Sequence, residues 1–142
     1  MSFIIDVDKI QYTPGAYGGS NTQCAALVQQ GPMLNGGPHP PQQSLWRKGQ
    51  HIKTSPQLPR GTVIATFTPA GLYPSASEGN RHTAVYLYHD NKGIRVIDQW
   101  HPDKPTPGQR TLYFTTDQFW FDAPRVVNKG DHYYVVEVEP DF

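Results

Sequence analysis

The stretch His82-Thr83-Ala84-Val85-Tyr86-Leu87-Tyr88, followed by Asp90-Asn91-Lys92-Gly93 and then Ile94-Arg95-Val96-Ile97-Asp98-Gln99-Trp100, decides the fold. Both outer runs are rich in β-branched and aromatic residues, and a turn sequence separates them, so they read as an antiparallel hairpin. Asp at the first turn position and Gly at the fourth suit a type I turn with a glycine bulge. With Asn91, Lys92 and Gly93 as the central residues, Asp90 pairs with Ile94. Even-numbered positions of both strands then share a face, and His82, Asp98 and Trp100 point the same way. A two-residue loop would put Gln99 on the His82 side instead.

Outward from the hairpin, Thr62-Val63-Ile64-Ala65-Thr66-Phe67 is a further strand, and Gly- and Pro-rich loops fill 69–81 and 101–108. Strands are also expected at 110–114 and 133–139. Upstream, Thr22-Gln23-Cys24-Ala25-Ala26-Leu27-Val28-Gln29-Gln30 reads as a helix, with Asn21 or Thr22 as N-cap and Gly31-Pro32 as its stop. Residues 31–43 form a long loop, and a short helix or turn over 44–49 places Trp46. The pattern predicts one α+β domain over 1–142: an N-terminal helix packed on an antiparallel sheet of about four to six strands. The three Gly- and Pro-rich loops are its expected cleft walls.

Composition narrows the class. The chain has 142 residues, with 12 Lys plus Arg balanced by 12 Asp plus Glu. That balance argues against nucleic-acid binding through a broad basic field. Aromatics at 12% with a net charge of zero argue against disorder, and 13 Gly with 14 Pro against a helical bundle. No run approaches the roughly 18 apolar residues of a membrane span, so no membrane insertion is expected. Met1-Ser2-Phe3-Ile4-Ile5-Asp6-Val7-Asp8 carries no basic region or apolar run of signal length. The expectation is a protein made in the cytoplasm without a signal peptide. Action elsewhere would need a secretion machine or host lysis.

Cys24 is the single cysteine, which excludes an intrachain disulfide. A lone cysteine is usually an inert buried hydrophobe. Here it stands in the first turn of the helix, where free N–H groups and the helix dipole favour the thiolate, the nucleophilic form. Tyr17-Gly18-Gly19 leads up to it and lets backbone approach a substrate closely. His82, at a strand end after a loop, is a base that can pair with the thiol. Asp98 would hold its tautomer and stabilise the imidazolium, and Gln99 could orient it without adding charge. Trp100 would exclude water from the pair. Arg95, Lys104 and Arg110 read as solvated charges, and Trp46, Tyr73 and Trp120 as core or groove aromatics. The six histidines show no metal-binding spacing, with His82 and His89 on opposite faces by parity, and no phosphate-binding loop occurs. No metal or other cofactor is implied.

At these residues the chain resembles a known group. Tyr17-Gly18-Gly19-Ser20-Asn21-Thr22-Gln23-Cys24-Ala25-Ala26-Leu27-Val28 is similar to the nucleophile segment of NlpC-type and CHAP-type cysteine peptidases, and His82-Thr83-Ala84-Val85-Tyr86-Leu87 to their histidine strand. Asp98-Gln99-Trp100 resembles the third-member strand of papain-like enzymes. The likeness spans roughly residues 12–115. It implies a papain-like fold, Cys24, His82 and Asp98 as catalytic residues, and cleavage of amide bonds in peptidoglycan stem peptides. The nearest resemblance is to amidase effectors of type VI secretion, which implies action in the target-cell periplasm and a cognate immunity protein; phage lysins are the other small group. Two departures stand out. Ala25-Ala26 replaces the Ser-Gly common after the NlpC cysteine, and Gly18 occupies the spacing of the papain oxyanion Gln. The oxyanion donor is therefore open among the Cys24 N–H, Gln23 and Tyr17. Two other readings compete: a β-rich module that binds glycan or protein and buries Cys24, and an acyltransferase on the same fold.

Overall fold

In the computed structural model, residues 1–75, 80–115 and 126–139 are described. The strands are β1 (Arg47–His51), β2 (Val63–Thr66), β3 (Thr83–His89), β4 (Gly93–Trp100), β5 (Lys104–Tyr113) and β6 (Tyr133–Glu137). They form one six-stranded sheet in the order β1-β6-β2-β3-β4-β5, with every neighbouring pair antiparallel. The helix α1 (Cys24–Gln30) packs on β3 and β4. The architecture is α+β with a helix ahead of an antiparallel sheet, as the sequence pattern predicts.

Both faces of the sheet are buried, so the central strands are near-continuous apolar runs. On one face Leu27 and Val28 of α1 meet Val63, Ala65, Val85 and Ile97, with Phe3, Ile5 and Trp46 closing the cluster. On the other, Ile64, Ala84, Tyr86, Ile94, Val96, Leu112 and Tyr133 pack together. Leu27 and Val28 are fully buried, and two such side chains contribute roughly 3–6 kcal/mol. That outweighs the ~1 kcal/mol of an N-cap. The expected cap is in fact absent: Gln23 holds the N-cap position and no side chain caps the helix, while Thr22 is buried. Packing, rather than capping, fixes α1 in place. Gly31 ends the helix as expected.

The hairpin reaches the predicted parity by another route. His89 pairs with Ile94 and Tyr88 with Arg95, so Asp90 is not opposite Ile94. Asp90 instead caps the turn, its carboxylate accepting from Lys92 N–H at 2.8 Å. The register then shifts between Tyr86 and Tyr88, and Tyr86 pairs with Val96 and Val85 with Ile97. Leu87 is the extra residue of a β-bulge. The bulge restores even-with-even pairing, so the shared side of His82 and Asp98 is achieved by Leu87 and not by the turn. It also corrects His89, whose ring Nδ1 lies 2.7 Å from the Tyr86 hydroxyl and so joins the face predicted to exclude it.

Two strands differ from expectation, both at the sheet edges. β1 reads Arg47-Lys48-Gly49-Gln50-His51, which has no apolar alternation to betray it. β5 starts at Lys104, inside the stretch expected to be a loop, and includes Pro105 and Pro107. An edge strand tolerates proline because one of its sides has no ladder to donate to. Of the aromatics left open, Trp46 is fully buried in the core, and Trp120 lies outside the described residues.

Candidate active site

Cys24 opens α1 at the end of the sheet where β3 begins. Its thiol lies beside the His82 ring, the Thr83 backbone N–H and Tyr73, the groups that stabilise its thiolate. The Tyr73 hydroxyl is 3.8 Å from Sγ. On the other side of the imidazole, His82 Nε2 is 2.8 Å from Asp98 Oδ2, which leaves Nδ1 for the sulfur. The three predicted residues thus form one series, thiol to imidazole to carboxylate. His82 is 5% exposed and Asp98 is 0% exposed, so water does not compete for these bonds. Trp100 stands edge-on to the His82 ring, with centroids 6.1 Å apart.

The charges are coupled. Burial works against the thiolate, but the His82 hydrogen bond and charge, then Thr83 N–H and Tyr73, overcome it and lower the Cys24 pKa. Of the two activating features expected at Cys24, a helix start and an imidazole partner, the imidazole stands beside the thiol, and α1 has seven residues. Burial also opposes the imidazolium, yet its interactions with the acceptors Asp98 and Cys24 raise His82 from 6.5 to about 9. Asp98 is lowered from 3.8 to about 2: burial opposes its charge, and His82, Arg110 and Lys104 outweigh it. The site therefore favours a thiolate beside an imidazolium, the activated form of a cysteine nucleophile.

Lys104 and Arg110, expected to be solvated, instead belong to the site. Lys104 Nζ donates to Asp98 Oδ1 and Arg110 Nε to Asp98 Oδ2, each at 2.7 Å. Both cations also lie over the Trp100 ring, at 5.0 and 4.8 Å. Lys104 reaches back because β5 carries an irregularity between the Asp98–Gly108 and Trp100–Lys104 pairs. Sequence alone gave no such signal, since the contact depends on that local break in register.

The remaining candidates take different places. Gln99 does not orient His82: it is fully buried, and its amide donates to Tyr17 O at 3.1 Å and Gln23 O at 2.9 Å. It ties the segment before Cys24 to β4. The Tyr17 hydroxyl accepts from Gln11 N–H at 3.0 Å, and the Gln23 side chain lines a polar hollow with Asn21, Gln29 and Gln30. Gly18 and Gly19 have φ of +92° and +59°, the left-handed region. At Gly18 a Cβ would run into the Asn21 carbonyl, so this glycine shapes the turn that delivers Cys24. Tyr73, expected as a core or groove aromatic, also reaches the sulfur. Its ring packs on Trp46 with centroids 4.8 Å apart, and burial, then the neighbouring Cys24, raise its pKa well above 10, so it stays a protonated donor.

A cysteine beside an imidazole that is backed by a buried carboxylate, on a helix-and-sheet frame, is an arrangement suited to an amidohydrolase that works through cysteine. Residues 3–136 match the model of the domesticated amidase effector 2 family, and the chain belongs to that family. It is 33% identical over 124 residues to the type VI secretion amidase effector 2 protein of Salmonella typhi, covering 84% of this chain and 87% of that protein. The solved structure of a type 6 secretion amidase effector 2 (Tae2) matches it with a TM-score of 0.73 at 30% identity, over 96% of this chain and 94% of that one.

Proposed function

We propose that residues 1–142 form one papain-like amidase domain that cleaves amide bonds in peptidoglycan stem peptides. The observation that carries this reading is the series of Cys24, His82 and Asp98, a thiol beside an imidazole that is hydrogen-bonded to a buried carboxylate. The Cys24 thiolate attacks the carbonyl carbon, and His82 gives its proton to the leaving amine as the C–N bond breaks. Water then enters and attacks the thioester, His82 takes its proton, and the C–S bond breaks to release the carboxylic acid and restore the thiolate beside the protonated ring. Asp98 holds the ring and stabilises its charged form. The Tyr73 hydroxyl, already beside the sulfur, donates to the oxyanion together with the Cys24 backbone N–H. This supplies the donor that Gly18 cannot.

The family membership and the names of both relatives support an antibacterial effector delivered to a target cell by type VI secretion. On that reading the protein acts in the target periplasm and meets a cognate immunity protein that fills the cleft. Among the described residues no helix is long and apolar enough to cross a membrane. Digestion of purified peptidoglycan, followed by mass spectrometry, tests the activity: each cut should add one water and expose one new amine and one new carboxylate. Intact muropeptides after digestion would overturn it. Added amine acceptors should leave the products unchanged; amide products would assign acyl transfer instead.

Tyr73→Phe tests the oxyanion role. Loss of one such donor lowers kcat about a hundredfold. The KM should change little, and the rate of thiol alkylation by iodoacetamide should stay within severalfold of wild type. Full kcat in this variant would remove Tyr73 from the mechanism.

A further inference from the structure

A cavity of about 480 Å³ opens beside the imidazole, lined by Arg81, His82, Trp100, Asp103, Arg110 and Asn128. Two of these are guanidinium groups. Arg110 is held rigidly: Nε donates to Asp98, Nη1 to Asn128 Oδ1 at 2.8 Å, and the group lies over Trp100. These bonds leave the Nη2 hydrogens for a ligand. Arg81 directly precedes His82 and donates from Nη1 to Gln43 Oε1 at 3.1 Å. Its other nitrogens are likewise uncommitted to that bond. Asp98 offsets only part of this charge, because one fully buried carboxylate is shared among His82, Lys104 and Arg110. Asp103, exposed at the rim, is the one acid of the described lining. The chain as a whole is neutral, so the excess positive charge here is a local feature of the cleft.

The cavity touches the ring that hands its proton to the leaving amine. We infer that it is a subsite in which Arg81 and Arg110 bind a free carboxylate of the substrate residue on the leaving-amine side. The inference rests on the amidase reading and adds a specificity-determining pair to it. Guanidinium recognises carboxylate through paired, charge-assisted hydrogen bonds, and a carboxamide in the same place offers a donor where only an acceptor fits.

The test compares purified stem peptides with free carboxylates and the same peptides with those groups converted to carboxamides. Wild type should favour the free form in kcat/KM by about tenfold or more, the scale of one charge-assisted hydrogen bond. In Arg81→Gln that preference should collapse, and Arg81→Lys should keep part of it. Calorimetric binding of both peptide sets to Cys24→Ala should show the same preference without turnover. Equal binding of the two sets, or an undiminished preference in Arg81→Gln, would overturn the subsite. Selective binding with no hydrolysis by the wild type would overturn the amidase reading and leave the subsite standing.

Discussion

Cys24→Ala should abolish peptidoglycan cleavage. The expected loss in kcat is at least about 10⁴-fold, because no neighbouring group can form the thioester. The fold should survive, since Cys24 is only partly buried and the helix is held by Leu27 and Val28. Wild-type alkylation by iodoacetamide should be faster at neutral pH than that of an ordinary thiol, because the His82 ring favours the thiolate. In His82→Ala the thiol loses its main stabilising partner, and the midpoint of alkylation should move upward. Muropeptide cleavage at the wild-type rate by Cys24→Ala would sink the proposed mechanism. A wild-type thiol that reacts only after denaturation would point to the buried structural cysteine of a binding module.

Asp98 should be critical for both stability and turnover. Removing one partner of a buried ionic cluster typically costs about 3–5 kcal/mol, because the remaining charges lose their counterion. Asp98→Ala leaves Lys104 and Arg110, whose side chains are only 24% and 23% exposed, without that carboxylate. Urea denaturation should show a loss on that scale. Asp98→Asn keeps the volume and one oxygen acceptor, so it should fold better while losing most of kcat, because the imidazolium loses its counter-charge. An unchanged kcat in Asp98→Asn would limit Asp98 to structure.

The pH dependence of stability follows with a definite sign. Asp98 has a depressed folded pKa, about 2 against 3.8, so its contribution is fully present above the unfolded value and is lost as pH falls through about 2. His82 has a raised folded pKa, about 9 against 6.5, so its contribution is fully present below the unfolded value and is lost as pH rises through about 9. Wild type should therefore weaken in both directions from a plateau between roughly pH 4 and 6.5. Asp98→Asn should lose the acidic limb and shift the alkaline limb to lower pH. Stability curves from denaturant titrations across this range check both limbs.

Much of the site was legible because its signals are local. Cys24 follows a glycine turn and begins an apolar helix; His82 and Trp100 flank a hairpin whose β-branched runs mark its strands. Alternation along a strand is a property of the backbone, so it could place His82 and Asp98 on one side. What alternation could not carry was the bulge at Leu87, which is needed to bring that parity about in the actual turn. Edge strands were equally hidden: β1 is polar and β5 begins among prolines, and neither needs an apolar pattern because one side lacks a pairing strand.

By itself, then, the sequence determined the α+β class, the helix that carries the thiol, and the order of thiol, imidazole and carboxylate. These depend on propensity, periodicity and neighbours a few residues away. Only the tertiary structure decided the rest of the site: Lys104 and Arg110 on Asp98, Tyr73 at the sulfur, and Gln99 on the backbone before Cys24 instead of on His82. Each of these contacts joins segments through sheet register or loop packing. Such contacts depend on where bulges fall and which loop closes over which strand end, and those are settled by the packing of the whole domain.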